Sequence, residues 1–121
     1  MENPNIVNVA TINGKSVGAA LGTGSADIVT NASSSGKVFK VNSILISNVD
    51  GTNAADASVS FFDNGTSTSF SIIKTITIPA DASLEVLGKN TSIYLEEGDK
   101  ITALASAAGD LEIIVSYEEI S

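Results

Sequence analysis

Between Leu111 and Glu118 the chain alternates. Leu111, Ile113, Val115 and Tyr117 fall on one side of an extended segment, and Glu112, Ser116 and Glu118 on the other, with Ile114 the one apolar residue out of place. Side chains on a strand point alternately to opposite faces, so this pattern predicts a strand with one buried face. Residues 70–78 repeat it, with Phe70, Ile72, Ile76 and Ile78 set against Ser69, Ser71, Ile73, Thr75 and Thr77. Lys74 interrupts that run and has to reach solvent at a sheet edge. Pro79 ends it, because proline cannot donate to a ladder. Residues 37–48 are apolar on both sides, with Phe39, Val41 and Leu45 on one and Val38, Ile44 and Ile46 on the other. Such a strand is expected at the centre of a sandwich or beneath an oligomer interface.

Shorter strands are predicted over 26–31, 58–62, 83–87, 92–95 and 100–106. Turn signals separate them: Asp63-Asn64-Gly65, Gly88-Lys89-Asn90, Glu96-Glu97-Gly98-Asp99 and Ala108-Gly109-Asp110. Residues 31–36 and 50–56 read as polar loops. Near the start, Ile6, Asn8, Ala10 and Ile12 alternate with Val7, Val9 and Thr11, and Asn13-Gly14 follows. Asn-Gly is the strongest short hairpin signal, since both central positions of a type I′ turn need positive φ. Residues 1–24 are therefore read as an N-terminal hairpin or arm, and 25–121 as the main domain. Seven or eight strands with frequent turns, and no helical period with a proper cap, predict an all-β, antiparallel two-sheet β-sandwich of jelly-roll type.

Composition narrows what such a domain can do. The 121 residues suffice for one domain. There is no cysteine, so neither disulfides nor thiolate metal sites are available. The chain also has no histidine, arginine or tryptophan. It thus lacks a side chain that titrates near neutrality, an imidazole ligand, and a bidentate clamp for phosphate or carboxylate. The net charge of −8 disfavours nucleic acid, whose phosphates need cations, and anionic membrane surfaces. No apolar run exceeds three residues, too short to span a bilayer as a helix. Met1-Glu2-Asn3-Pro4-Asn5 has neither a basic nor an apolar leader region, so synthesis and first residence in a cytoplasm are expected. The acids are concentrated after residue 49. They keep a sticky β-domain soluble, or they dock on a basic partner.

The candidate chemistry is sparse. Asp50, Asn53 and Asp56 put oxygen ligands in one loop, as a calcium ion requires, but the spacing departs from the EF-hand pattern, the terminal bidentate Glu is missing, and a structural turn is the better reading. Glu96, Glu97 and Asp99 are the residue types that glycoside hydrolysis uses as paired acids, yet they crowd into one turn instead of flanking a cleft. No serine or threonine has a histidine to activate it. No catalytic residue, cofactor or resident metal is assigned. Phe61 and Phe62 should split between the core and the outer face, which makes Phe62 a candidate contact between copies.

Ser92-Ile93-Tyr94-Leu95-Glu96-Glu97-Gly98-Asp99, then Ala107-Ala108-Gly109 and Ser116-Tyr117-Glu118-Glu119-Ile120, together with Val41-Asn42-Ser43-Ile44-Leu45-Ile46-Ser47-Asn48, resemble small virion structural proteins of marine tailed bacteriophages. The resemblance spans residues 26–120. It implies a jelly-roll-like particle component, often a capsid decoration protein or a piece of a tail or fibre, and carries over no catalytic residue.

The leading expectation is a non-enzymatic virion structural protein, a decoration or cement protein on the head exterior. Its expected partners are other copies of itself, with a trimer as the guess, and a major capsid or other virion protein. Ile6, Val7, Val9 and Phe62 are the candidate contacts. The alternatives are a host-recognition module of a tail or fibre and a calcium-dependent binding module.

Overall fold

The computed structural model describes residues 11–121. Nine strands follow in order: β1 (Ile12–Ala20), β2 (Ala26–Thr30), β3 (Val38–Asn48), β4 (Ala55–Asp63), β5 (Thr68–Ile78), β6 (Ser83–Leu87), β7 (Ile93–Leu95), β8 (Lys100–Ala105) and β9 (Leu111–Ile120). A single 3-10 turn, Lys89–Thr91, is the helical element among the described residues. One sheet runs β1-β9-β3-β6, with β7 also paired to β3, and the other runs β2-β8-β4-β5. Every pairing is antiparallel. The order is nested: first strand beside last in one sheet, second beside penultimate in the other. β1 lies over β2 along one side of the sandwich and β5 over β6 along the other.

The inner face of the β2-β8-β4-β5 sheet mixes small residues, Ala55, Ala57, Ala103 and Ala105, with Val29, Val59, Ile78 and Ile101, all buried. The opposing sheet adds Ile44, Ile46, Leu111 and Ile113 to the same core. Large side chains facing small ones interdigitate without voids, which is how two sheets hold their spacing of about 10 Å.

Two expectations change. Asn13-Gly14 makes no turn: it lies inside β1, which pairs with β9 without interruption from Ile12↔Ile120 to Ala20↔Glu112. Nine paired positions outweigh a two-residue turn preference, so residues 12–20 are a strand of the main sheet and not part of a separate arm or hairpin. Residues 1–10, and with them Ile6, Val7 and Val9, lie outside the described residues.

The second change concerns β3. Val41 pairs with Tyr117 and Ser43 with Ser116, so Asn42 is an extra residue, a β-bulge. The bulge shifts the alternation by one. Phe39, Val41, Ile44 and Ile46 all join the core, and Leu45 turns outward. The two-sided apolar pattern is thus largely a single face interrupted by a bulge.

Candidate assembly surface

At one end of the sandwich a buried asparagine joins the β2–β3 loop to the β7–β8 turn. Asn31, fully buried, donates from its side-chain amide to the Lys37 and Leu95 carbonyls, both at 2.9 Å. Its Oδ1 accepts the Ser35 hydroxyl, and its carbonyl accepts the Gly98 N–H at 2.6 Å. Asp99, also buried, accepts the backbone N–H of Asn64 and of Glu96 through its two carboxylate oxygens. Glu97 accepts the Gly36 N–H. Two of the three clustered acids therefore hold loops together. Glu96 stays exposed beside Ser33, Ser34 and Asn64 around a shallow polar depression.

The other end repeats the device. Asn48 donates to the Asn53 and Ile78 carbonyls and accepts the Asp50 N–H. Asp50 accepts the Thr52 and Asn53 N–H groups and the Asn53 amide, and these bonds, the Thr52 one foremost, hold its carboxyl below the usual range. Asp56 lies in β4, where it accepts the Thr77 hydroxyl. Of the three calcium candidates the structure joins Asp50 to Asn53 and engages Asp56 elsewhere. Among the described residues no group of three or more acids is arranged to hold a metal ion.

Glu119 is the remaining buried charge. Lys37 lies 3.0 Å and Lys15 3.2 Å from its carboxylate, joining β1 and the start of β3 to the end of β9. Burial alone would raise its pKa, but the hydrogen bonds from Lys37 and Lys15 outweigh that and hold it below the ordinary value. Every buried side-chain polar atom among the described residues has a partner. Each of these polar clusters ties strands or loops together.

β5 is different. Among the described residues it forms an outer edge of its sheet, with β4 as its one neighbour. Phe70 pairs with Phe61 and Ile76 with Ala57, both inward-facing positions of β4. The inner face of β5 is nevertheless open: Phe70 is 53% and Ile76 41% exposed. The sandwich is therefore unclosed along the side where β5 meets β6. Lys74 and Thr75 together oppose Ser58, a bulge in which Thr75 takes φ +55° and donates its N–H to Ser58 Oγ. A β-branched residue there is strained. Bulges and lysines are devices that stop edge strands from pairing. Here Lys74 and its bulge mark the second half of β5, and a second register shift, between Val59↔Ile73 and Ser60↔Ser71, puts another bulge at Ile72 in the uncharged first half.

Phe62 lies on the outer face of the same sheet, half-buried, with the Lys100 ammonium 5.2 Å above its ring and Asp27 bound to that lysine. Phe70, eight residues on, is more exposed, as is Tyr94 of β7. Alternation places Phe70 in a strand but cannot show that the facing sheet stops short of covering it. Lys74 is the one signal of an open edge. Outside the opposite sheet, Leu45 and Ile114 pair side by side and are exposed.

No family model and no curated protein matches this chain. Two solved structures share the fold. One is a chain from Bacillus endospore appendages, described as a novel family of disulfide-linked pili; it is 18% identical, with a TM-score of 0.51, over 89% of this chain and 85% of that one. The other comes from the acid-stable capsid of Helicobacter pylori bacteriophage KHP30; it is 11% identical, with a TM-score of 0.55, over 94% of this chain and 90% of that one.

Proposed function

We propose that this chain is a non-enzymatic structural subunit of a bacteriophage particle that works by associating with copies of itself and with another virion protein. The single observation that carries the reading is the open apolar side of β5, where Phe70 and Ile76 are left to solvent. Burying apolar area stabilises by roughly 25 cal/mol per Å², and an array repeats that gain at every contact. We read the nested strand order as a jelly roll, an architecture that recurs in viral capsid domains. Two solved structures similar to this chain come from a capsid and a pilus, which supports an assembling role. Since this chain has no cysteine, its contacts would form without the disulfides that link those pili.

Within that role we favour a decoration or cement protein on the head exterior, with the sequence resemblance to small virion proteins as its support. A stable oligomer that binds emptied phage heads is the expected result. An oligomer that binds isolated tails or host cells instead would move the subunit to a tail or fibre.

A further inference from the structure

We propose that two copies of this chain join through β1, edge to edge and antiparallel about a two-fold axis at Ser16, so that the β1-β9-β3-β6 sheet runs on from one copy into the other. The inference rests on the self-association proposed above and adds a contact on the flank opposite β5. Among the described residues, the outer strands of five residues or more are β1, β2, β5 and β6. The last three each carry an extra residue of their own: Ile28 in β2, Ile72 in β5 and Val86 in β6. Such bulges stop an edge from pairing with another chain. β1 has none, and its register with β9 is unbroken from Ile12 to Ala20. It also has no acid and no proline. Its one charge, Lys15, is bound to Glu119.

The backbone of this edge is available. Thr11 exchanges two hydrogen bonds with Ser121, and the Leu21 N–H donates to the Leu111 carbonyl. Bonded and non-bonded positions alternate in an antiparallel ladder, so the odd-numbered residues of β1 bond to β9. Ile12, Gly14, Ser16, Gly18 and Ala20 turn their N–H and C=O groups to the open edge, and all five are exposed. The register that overlaps the whole strand sets Ser16 against Ser16, Gly14 against Gly18 and Ile12 against Ala20, each pair exchanging two main-chain bonds. A register centred on Lys15 would place two ammonium groups side by side, which is unfavourable. In the full register Lys15 faces Val17 instead, and its stem covers that half-buried side chain. Ile12, 54% exposed, arrives beside Ala20 of the other copy, where Gly18, Ala20, Glu112 and Ile114 line a shallow depression. Neither Gly14 nor Gly18 is required by the single subunit, since neither has a positive φ and a Cβ fits at both. Glycine inside a strand suits another backbone approaching closely. The contact is isologous, so it closes at two copies and leaves the β5 flank free.

Cysteine trapping in the full-length chain tests this without background, because the natural sequence has no cysteine. Ser16→Cys alone should give disulfide-linked pairs of chains under mild oxidation, since Cα atoms of a bonded pair lie about 5.5 Å apart, within disulfide reach. Gly14→Cys and Gly18→Cys should link when mixed and not singly, because each sits about 13 Å along the strand from its own mate. Ser116→Cys, on the same face one strand in, should not link across about 14 Å. Ser16→Pro removes an N–H at the open edge and none that β9 uses. It should cut the assembled mass at least twofold by light scattering while the β spectrum is kept. Should that variant fail to fold, the cross-links still decide. Equal linking by Gly14→Cys alone or by Ser116→Cys is collision without register and overturns the proposal. Assemblies that never link through Ser16→Cys overturn it as well and leave self-association standing. A single chain at every concentration overturns both.

Discussion

The side-chain amide of Asn31 donates to the carbonyl oxygen of Leu95 at 2.9 Å, joining the end of β2 to the end of β7 across 64 positions of sequence. The same amide reaches the Lys37 carbonyl. An Asn31→Ala variant would leave two carbonyls and the Ser35 hydroxyl without a partner, at about 1–3 kcal/mol for each buried group left unpaired. A drop of roughly 3 kcal/mol in unfolding free energy is expected, measured by denaturant titration. Asn31→Asp should be little better, since a carboxylate cannot donate.

Gly98 makes a second test of the same end. Its φ is +89°, and a Cβ there would come within 2.5 Å of the Asn64 side chain. Gly36 has φ +71° with nothing in the way. Gly36→Ala should therefore cost only the backbone strain of roughly 1 kcal/mol, and Gly98→Ala clearly more. Thermal melts of the two variants side by side check the difference.

Acid should weaken the fold in part through Glu119. Its pKa in the folded chain is lowered from the ordinary 4.5 by Lys37 and Lys15. A depressed carboxyl contributes stability that is fully present above its unfolded value and is lost as pH falls through the folded one. Stability should thus hold steady down to about pH 5 and fall below about pH 4.5. Glu119→Gln should be less stable at pH 7 by roughly 1.5–3 kcal/mol, the worth of hydrogen bonds to a charged group, and its acid limb should be flatter. Urea titrations at several pH values measure both effects.

The bulge at Asn42 predicts an asymmetry in β3. Ile44→Ala removes a fully buried side chain and should cost about 2–5 kcal/mol. Leu45→Thr changes an outward position and should stay within about 0.5 kcal/mol. Equal costs for the two would mean that the alternation runs straight through.

Most strands can be read from alternation because each of these segments has one buried and one wetted face, as in β9 and β8. The bulge cannot, since Phe39, Val41, Leu45 and Val38, Ile44, Ile46 fit two faces of an unbroken strand equally well on paper. Local chemistry misleads at Asn13-Gly14, where pairing with β9 outweighs the turn preference. The three acids at 96–99 are recognisable as a turn, but their tie to Asn31 and Gly36 depends on contacts more than sixty residues apart. The open flank of β5 is a property of how far the facing sheet extends, and alternation carries no record of that.

Static light scattering on the full-length chain over a wide concentration range at neutral pH bears most directly on the claim that this domain exists to associate. The account predicts a mass at a multiple of the 12.3 kDa chain, falling towards one chain when Phe70→Asp and Ile76→Asp are combined while the β spectrum is retained. A mass of one chain at every concentration, unchanged by those substitutions, would contradict it.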